Sequence, residues 1–118
     1  SNQFNSVYKQ EVGNDLSGAS ARSFTGLQAW TEVLQLAGSI EPAAIQKACN
    51  SIMIPGDQLI VPWKGIKFST SGKEQGQNEL GSGIIGQYQK DKDGAITLEI
   101  VYPFEVATAK LIYPFKGF

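Results

Sequence analysis

This 118-residue chain has few residues with reactive side chains, which limits the kinds of catalysis expected of it. There is no histidine, one cysteine (Cys49) and one arginine (Arg22). Without histidine, the usual general base and zinc ligand are both missing, and no imidazole can activate Cys49 as a nucleophile. Cys49 is therefore expected to be a small apolar residue of a helix. This inventory predicts a protein that is not an enzyme and uses no metal or cofactor.

Two other kinds of site were considered, a catalytic pair of carboxylates and a glycine-rich dinucleotide-binding loop, and the sequence favours neither. Asp91 and Asp93 lie in a predicted turn, where carboxylates are solvated. Glu99 and Glu105 could form a carboxylate pair, but acid–base catalysis requires surroundings that separate their pKa values, and a sequence does not show these. Residues 81–86 fit G-x-G-x-x-G, but they lie inside a strand pattern, whereas a dinucleotide loop follows a strand and opens a helix.

Composition and charge describe a folded domain without a nucleic-acid surface. Ten basic and eleven acidic residues give a net charge of −1, and the basic residues form no cluster. Proteins that bind nucleic acids need a basic face to neutralise phosphates, so no nucleic-acid partner is expected. The chain is 42% hydrophobic, yet no apolar run approaches the roughly 20 residues of a spanning helix.

The first half of the chain has helical periodicity, with glycines where the apolar pattern stops. Gly13 follows the first helix and Gly38 the second, and Pro42 fits the first turn of a third. Asn2 is a candidate cap of the first helix, Ser20 or Ser23 of the second, and residues 16–21 are predicted to be a loop. The predicted helices are about 3–12, 21–38 and 42–50.

The second half has frequent glycines and prolines, with short apolar or alternating segments between them, a pattern typical of short strands. Strand-like segments occupy 59–63 and 65–69, and a β-hairpin is predicted at about 82–102 because Asp93-Gly94 is a strong turn signal between alternating segments. The apolar tail after the hairpin is expected to need a larger surface to lie on. Four aromatic residues are expected to pack in the core: Trp30, Trp63, Tyr88 and Tyr102. The fold class predicted is α/β.

Four segments, by their order and spacing, resemble the C-terminal end of the branched-chain-amino-acid-type substrate-binding proteins of ABC importers, the type I periplasmic binding proteins. These segments are SFTGLQAWTEVLQLAGSIEPAAIQKA (23–48), PWKGIKFST (62–70), GQN (76–78) and IVYPFEVATAKLIYPF (100–115). The similarity runs from about Phe4 to Phe115. One departure is Ser69, which stands where the family's G-x-x-F-D strand has aspartate.

The resemblance implies a two-lobed α/β protein that holds its ligand between the lobes. Because members of the family are much longer than this chain, residues 1–118 are expected to be a single C-terminal fragment, with most of both lobes missing. The implied function is that of a periplasmic receptor that binds an amino acid or a related small carboxylate or amide. Such receptors deliver the solute to the membrane permease of an ABC importer after hinge closure. The export signal is then expected upstream of Ser1.

The resemblance also implicates a ligand-binding segment. In this family the loop that leads into the helix at 23–38 approaches the ligand, and by position its residues here are Ala19, Ser20, Ala21 and Arg22. A guanidinium binds a carboxylate through two parallel hydrogen bonds, which suits Arg22 to that role. The alternative is a surface arginine that lies over the start of a helix without a ligand.

Two other functions fit the same sequence. The fold of these receptors also serves as the sensing domain of signalling proteins, and fold alone does not fix function. A transmembrane or kinase segment after Phe118 would favour the sensor. The third possibility is a small interaction domain that associates with itself through its apolar tail, including a homodimer formed by exchange of elements.

Overall fold

The computed structural model describes residues 2–118, except for the side chain of residue 2, and it contains three helices and two small antiparallel sheets. The chain forms two compact units, which we name the helical unit, up to Gly81, and the hairpin unit, Ser82–Phe118. The helices are α1 (Asn2–Val12), α2 (Gly18–Ala37) and α3 (Pro42–Cys49). The strands are β1 (Ile54–Pro55), β2 (Gly65–Ile66), β3 (Ile85–Lys90) and β4 (Ile96–Tyr102). This mixture of helix and strand agrees with the α/β class, and none of the described helices has the length and apolarity to span a membrane.

Glycines end the first two helices as the sequence predicted. Gly13 has φ of 82° and donates its N–H to the carbonyl of Lys9. Gly38 has φ of 59° and donates to Leu34, so it closes α2 in the left-handed conformation that a residue without Cβ adopts easily. Pro42 begins α3, where its missing N–H costs nothing. The cap predicted at Asn2 lies outside the described side chains.

The core of the helical unit lies where α2 and α3 pack against the chain that follows them. Seven buried residues form it: Val33, Ala48, Ile52, Ile54, Leu59, Val61 and Ile66. Cys49 is half-buried and packs against this cluster, as expected for a small apolar residue. Most of the core therefore comes from residues 48–66, a segment with little regular structure.

Helix α2 buries less of its surface than its apolar sequence suggests. Only Thr25 and Val33 are buried on it, whereas Leu27 and Leu36 are exposed. The expectation that the aromatic residues pack in the core is right for Trp63, which packs against the cluster. It is wrong for the other three, which are about half exposed: Trp30, Tyr88 and Tyr102.

Two-residue strands and one asparagine organise residues 54–81. β1 and β2 pair antiparallel, with Ile54 opposite Ile66. The predicted strand at 59–63 is wrong, because this segment is irregular; its apolar side chains are buried by the core and not by a strand ladder. The Asn78 amide accepts from the backbone N–H groups of Lys67 (3.0 Å) and Leu80 (3.2 Å) and donates to the carbonyl of Gly65 (3.1 Å).

The predicted hairpin is present as β3 and β4, joined by the Asp-Gly turn. Gly94 has φ of 83°, and the side chain of Asp91 accepts the backbone N–H groups of Asp93 (2.8 Å) and Ala95 (2.9 Å). The carboxylate of Asp91 therefore stabilises the turn in which the sequence analysis predicted it to lie. The strands begin at Ile85, later than the predicted residue 82.

Side chains on the polar face of the hairpin hold the tail of the chain. Gln87 makes two hydrogen bonds to the backbone of Ile112, one to its carbonyl (3.0 Å) and one from its N–H (2.9 Å). The Gln89 amide donates to the carbonyl of Lys110 (2.8 Å). Hydrogen bonds from Thr108 and Thr97 to the Glu99 carboxylate lower its pKa, so this group stays ionised in the network.

The opposite face of the hairpin is apolar and open. The strand register places Tyr88 opposite Leu98, Lys90 opposite Ile96 and Gly86 opposite Ile100, all on one side. Tyr88 is 58% exposed and Leu98 59% exposed. We name this surface the apolar hairpin face and define it by four residues: Tyr88, Ile96, Leu98 and Ile100.

Candidate functional site

The predicted ligand-binding residues lie at the start of α2, on helix and not on a loop. Ser17 is the N-cap, with φ of −80° and ψ of 163°, and its hydroxyl accepts the backbone N–H of Ser20 at 3.1 Å. The prediction of a loop over 16–21 is therefore wrong from Gly18 onward, and neither Ser20 nor Ser23 caps the helix. The Ser17 hydroxyl satisfies one of the first-turn N–H groups that a helix leaves without an acceptor, and this favours the earlier start over a loop.

Two of the four predicted residues have structural partners. The Ser20 hydroxyl lies 3.2 Å from the hydroxyl of Tyr8 and 2.9 Å from that of Ser17, so it joins α1 to the cap of α2. Ala21 is half-buried and packs against the core, and its carbonyl accepts the hydroxyl of buried Thr25 at 2.9 Å. These contacts leave little of Ser20 or Ala21 for a ligand.

The other two predicted residues, Ala19 and Arg22, are exposed on the first turn and a half of the helix. Helix geometry leaves the N–H groups of Gly18 and Ala19 without an intrahelical acceptor, so they can donate to an external group. The Arg22 side chain folds back over this turn: its Nη1 atom lies 3.7 Å from where a Cβ on Gly18 would be. The guanidinium therefore lies close to the first turn of α2.

The charge of Arg22 is not balanced at this position. No carboxylate in residues 2–118 forms an ion pair with it. The positive end of the helix dipole lies at the same terminus, so a cation there is unfavourable unless an anion joins it. A carboxylate would meet the guanidinium, two backbone N–H groups and the dipole together. The arrangement therefore suits the binding of a small anion.

Contacts from α1 fix the turn that precedes this site. Asn5 donates to Asp15 at 3.0 Å and accepts the N–H of Leu16 at 2.7 Å, and Lys9 pairs with Asp15 at 3.1 Å. The hydrogen bonds from Asn5 and Lys9 lower the pKa of Asp15. The nearest acidic residue before α2 is thereby held by Lys9 and is not the partner of Arg22.

Two residues at this site, Ser17 and Tyr8, were missed by the sequence analysis. Serine is among the strongest capping residues, so Ser17 had a signal that the following Gly18 obscured. The contact of Tyr8 with Ser20 had no sequence signal, because the two residues lie on different helices and are twelve positions apart in the chain. Within the described part of the chain, no group of three or more His, Cys, Asp or Glu residues has the geometry of a metal site.

No protein-family model matches this chain, and no curated protein matches its sequence. The family resemblance of the four segments therefore stays a prediction. The ligand role of Ala19, Ser20, Ala21 and Arg22 likewise stays a prediction.

Proposed function

We propose that this chain is part of a solute-binding receptor of an ABC importer, which binds an amino acid or a related small carboxylate or amide. The observation that carries the proposal is the exposed Arg22, whose guanidinium lies close to the first turn of α2 and forms no ion pair within residues 2–118. These groups match the negative end of such a solute, and the segment is the one that the resemblance places beside the ligand. The order of three helices, short strands, hairpin and tail supports the same proposal.

In this proposal the helix terminus holds the solute's carboxylate, and the remaining contacts come from the second lobe of the receptor. Closure of the lobes around the solute produces the form that the membrane permease recognises. The sensing alternative uses the same binding step and differs in what receives the signal. Both place the protein's function in reversible binding.

Calorimetric titration of the full-length protein that contains this chain, with amino acids and small carboxylates and amides, tests the proposal. Saturable binding of one member of the panel is expected, and no binding across it would contradict the proposal.

Replacing Arg22 with alanine is expected to weaken that binding at least tenfold, because a charge-assisted pair of hydrogen bonds contributes about 1.5–3 kcal/mol. Arg22→Lys is expected to recover part of the affinity, since it keeps the charge and loses the planar fork. Lys47→Ala removes a cation from the last turn of α3 and is the matched control. Equal affinity of the Arg22→Ala and Lys47→Ala proteins for the solute would show that Arg22 does not bind it.

A second candidate function, self-association, is favoured by the apolar hairpin face. A sheet surface with Tyr88, Ile96 and Leu98 more than half exposed is the kind of patch that marks an interface. We propose that this face pairs with a second copy when no other partner is present. Light scattering is expected to show a dimer that Leu98→Lys converts to monomer, whereas Leu36→Lys on α2 leaves it intact. A monomer at all concentrations would contradict this candidate.

A further inference from the structure

The outer edge of β3 carries backbone groups that point away from its partner strand. On β4, the Ile100 carbonyl accepts the N–H of Thr108 at 2.8 Å, and the Ile100 N–H donates to the Thr108 hydroxyl at 2.9 Å, both on the side away from β3. Ile100 and its register partner Gly86 are therefore a non-hydrogen-bonded pair of the ladder, and such pairs recur at every second residue of antiparallel strands. The backbone N–H and C=O groups of Gly86, Tyr88 and Lys90 thus face outward.

These backbone groups are open to a partner, and we name the three residues that carry them, Gly86, Tyr88 and Lys90, the free edge of β3. In the part of the chain that the structure describes, no turn, loop or side chain bonds to the groups, and the three residues are exposed. Edge strands that avoid pairing carry prolines, charges or bulges. Residues 86–90 have no proline and an unbroken register, and Lys90 is their only charge.

The geometry of the free edge determines the form of its partner. The sheet has only two strands, and such a hairpin gains stability from a third. An extended segment that lies antiparallel beside β3 forms a pair of N–H···O=C hydrogen bonds with each residue of the free edge, so it needs about five residues. Antiparallel pairing is the more stable of the two arrangements. Every second side chain of the segment then lies on the same side of the sheet as Tyr88.

The side chains of the free edge indicate which residues lie opposite them. Lys90 forms no ion pair within residues 2–118, so an acidic residue complements it. Tyr88 is 58% exposed, and an apolar β-branched residue covers its ring. A Cβ on Gly86 would lie 2.9 Å from Cδ1 of Leu98, so an aromatic ring opposite Gly86 packs over the glycine and beside the leucine.

We propose that the free edge of β3 binds an extended polypeptide segment in which an acidic, an apolar and an aromatic residue alternate with polar ones. The order runs from the N-terminus of the segment, because an antiparallel segment begins beside Lys90 and ends beside Gly86. The proposal goes beyond the receptor function and does not depend on it. It is also independent of self-association, because a copy packed on the apolar hairpin face covers a face of the sheet and leaves the edge of β3 free.

Three peptides of one sequence test the backbone pairing, with amide hydrogen exchange of the 118-residue chain followed by NMR. The parent is acetyl-Thr-Glu-Thr-Val-Thr-Phe-Thr-amide, and the other two carry one N-methyl group, on the valine or on the threonine that follows it. The valine N–H faces β3 in the proposed pairing, whereas that threonine N–H faces away. The parent is expected to bind saturably and to slow exchange of the Tyr88 amide. N-methylvaline is expected to weaken binding at least about tenfold, and N-methylthreonine by less than about twofold.

Three results would overturn the proposal. One is the absence of saturable binding of the parent peptide, and another is equal loss of affinity from the two N-methyl groups. The third is slow exchange of the Tyr88 amide in the chain without peptide, because the edge would then be occupied already. Dependence of that exchange on protein concentration would assign the edge to a second copy.

A pair of substitutions tests the same hydrogen bonds from the side of the protein. Tyr88→Pro removes the N–H that faces the segment, and proline is tolerated on an edge strand where its nitrogen faces outward. Tyr88→Val removes the ring but keeps this N–H. Tyr88→Pro is expected to bind the parent peptide several-fold more weakly than Tyr88→Val, and equal affinity would contradict the pairing. Protection of the Gln89 amide, which faces β4, shows that the hairpin is intact in both variants.

The acidic residue of the segment is tested through Lys90. Lys90→Met is expected to weaken binding of the parent peptide several-fold, because it removes the cation opposite the glutamate. Lys92→Met is the matched control, since Lys92 lies in the turn between β3 and β4, beyond the free edge. Equal weakening by the two variants would make the effect one of net charge and would contradict the pairing with Lys90.

Discussion

Replacing Asn78 with alanine is expected to lower the free energy of unfolding of the helical unit by about 3 kcal/mol. Its amide makes three hydrogen bonds to the backbone around β2, and each contributes about 1 kcal/mol net. Alanine leaves the N–H groups of Lys67 and Leu80 and the carbonyl of Gly65 without these partners. The chain's two tryptophans, Trp30 and Trp63, both lie in the helical unit, so their fluorescence in a urea titration measures this unit directly.

Two control variants separate the contribution of the amide from that of the loop. Asn78→Asp keeps the oxygen that accepts from Lys67 and Leu80 but loses the donor to Gly65. Its free energy of unfolding is therefore expected to lie between those of the wild type and Asn78→Ala. Gln77 is exposed, and Gln77→Ala is expected to change stability by less than about 0.5 kcal/mol. An Asn78→Ala protein no less stable than Gln77→Ala would show that the three bonds do not support the fold.

Asn78 also shows where sequence reasoning reaches its limit. The residue was noticed only as part of a Gly-Gln-Asn segment, and no local pattern indicates which backbone groups an amide will bind. Its partners at 65, 67 and 80 are brought together by the path of an irregular segment. The apolar segment 59–63 was predicted as a strand for a similar reason. A short apolar run is typical both of a strand and of an irregular buried segment, and only the segments packed around it distinguish the two.

Elements fixed by neighbours in sequence were predicted well. Periodicity with Gly13 and Gly38 predicted the first two helices, and Pro42 predicted the start of the third. Asp93-Gly94 predicted the hairpin, because helix caps and two-stranded turns depend on a few adjacent residues. The main local error was the start of α2. Ser17 caps the helix, and Gly18 follows it immediately; a glycine there is tolerated at a helix start, although it is more often a sign of a loop.

The sequence proposed a candidate site but did not indicate the structural contacts of its residues. Arg22 and Ala19 are exposed as a ligand contact requires, whereas Ser20 bonds to Tyr8 and Ser17. The polarity of a serine does not say whether its hydroxyl faces a ligand or another helix. Only the packing of α1 against the start of α2 decides that, and packing is a property of the folded chain.

Replacing Gly56 with alanine is expected to destabilise the helical unit by about 3 kcal/mol, although the change adds one methyl group. Gly56 lies where the chain after β1 passes against the backbone before β2, and its N–H donates to the carbonyl of Lys64 at 3.0 Å. A Cβ there would overlap the carbonyl oxygen of Trp63 and lie 2.9 Å from the carbonyl carbon of Lys64. Because these are backbone atoms, the two segments have to separate, which weakens the hydrogen bond and the core beside it.

Gly26→Ala is the matched control, and it is expected to have the opposite sign. Gly26 lies inside α2, and a Cβ there would meet no atom within 4 Å. Alanine at that position reduces the conformational freedom of the unfolded chain and stabilises a helix by about 1 kcal/mol. Urea titration by tryptophan fluorescence is thus expected to move the midpoint down for Gly56→Ala and up for Gly26→Ala. Two shifts of the same sign would contradict the close approach at Gly56, because one added methyl group would then act alike in open and crowded surroundings.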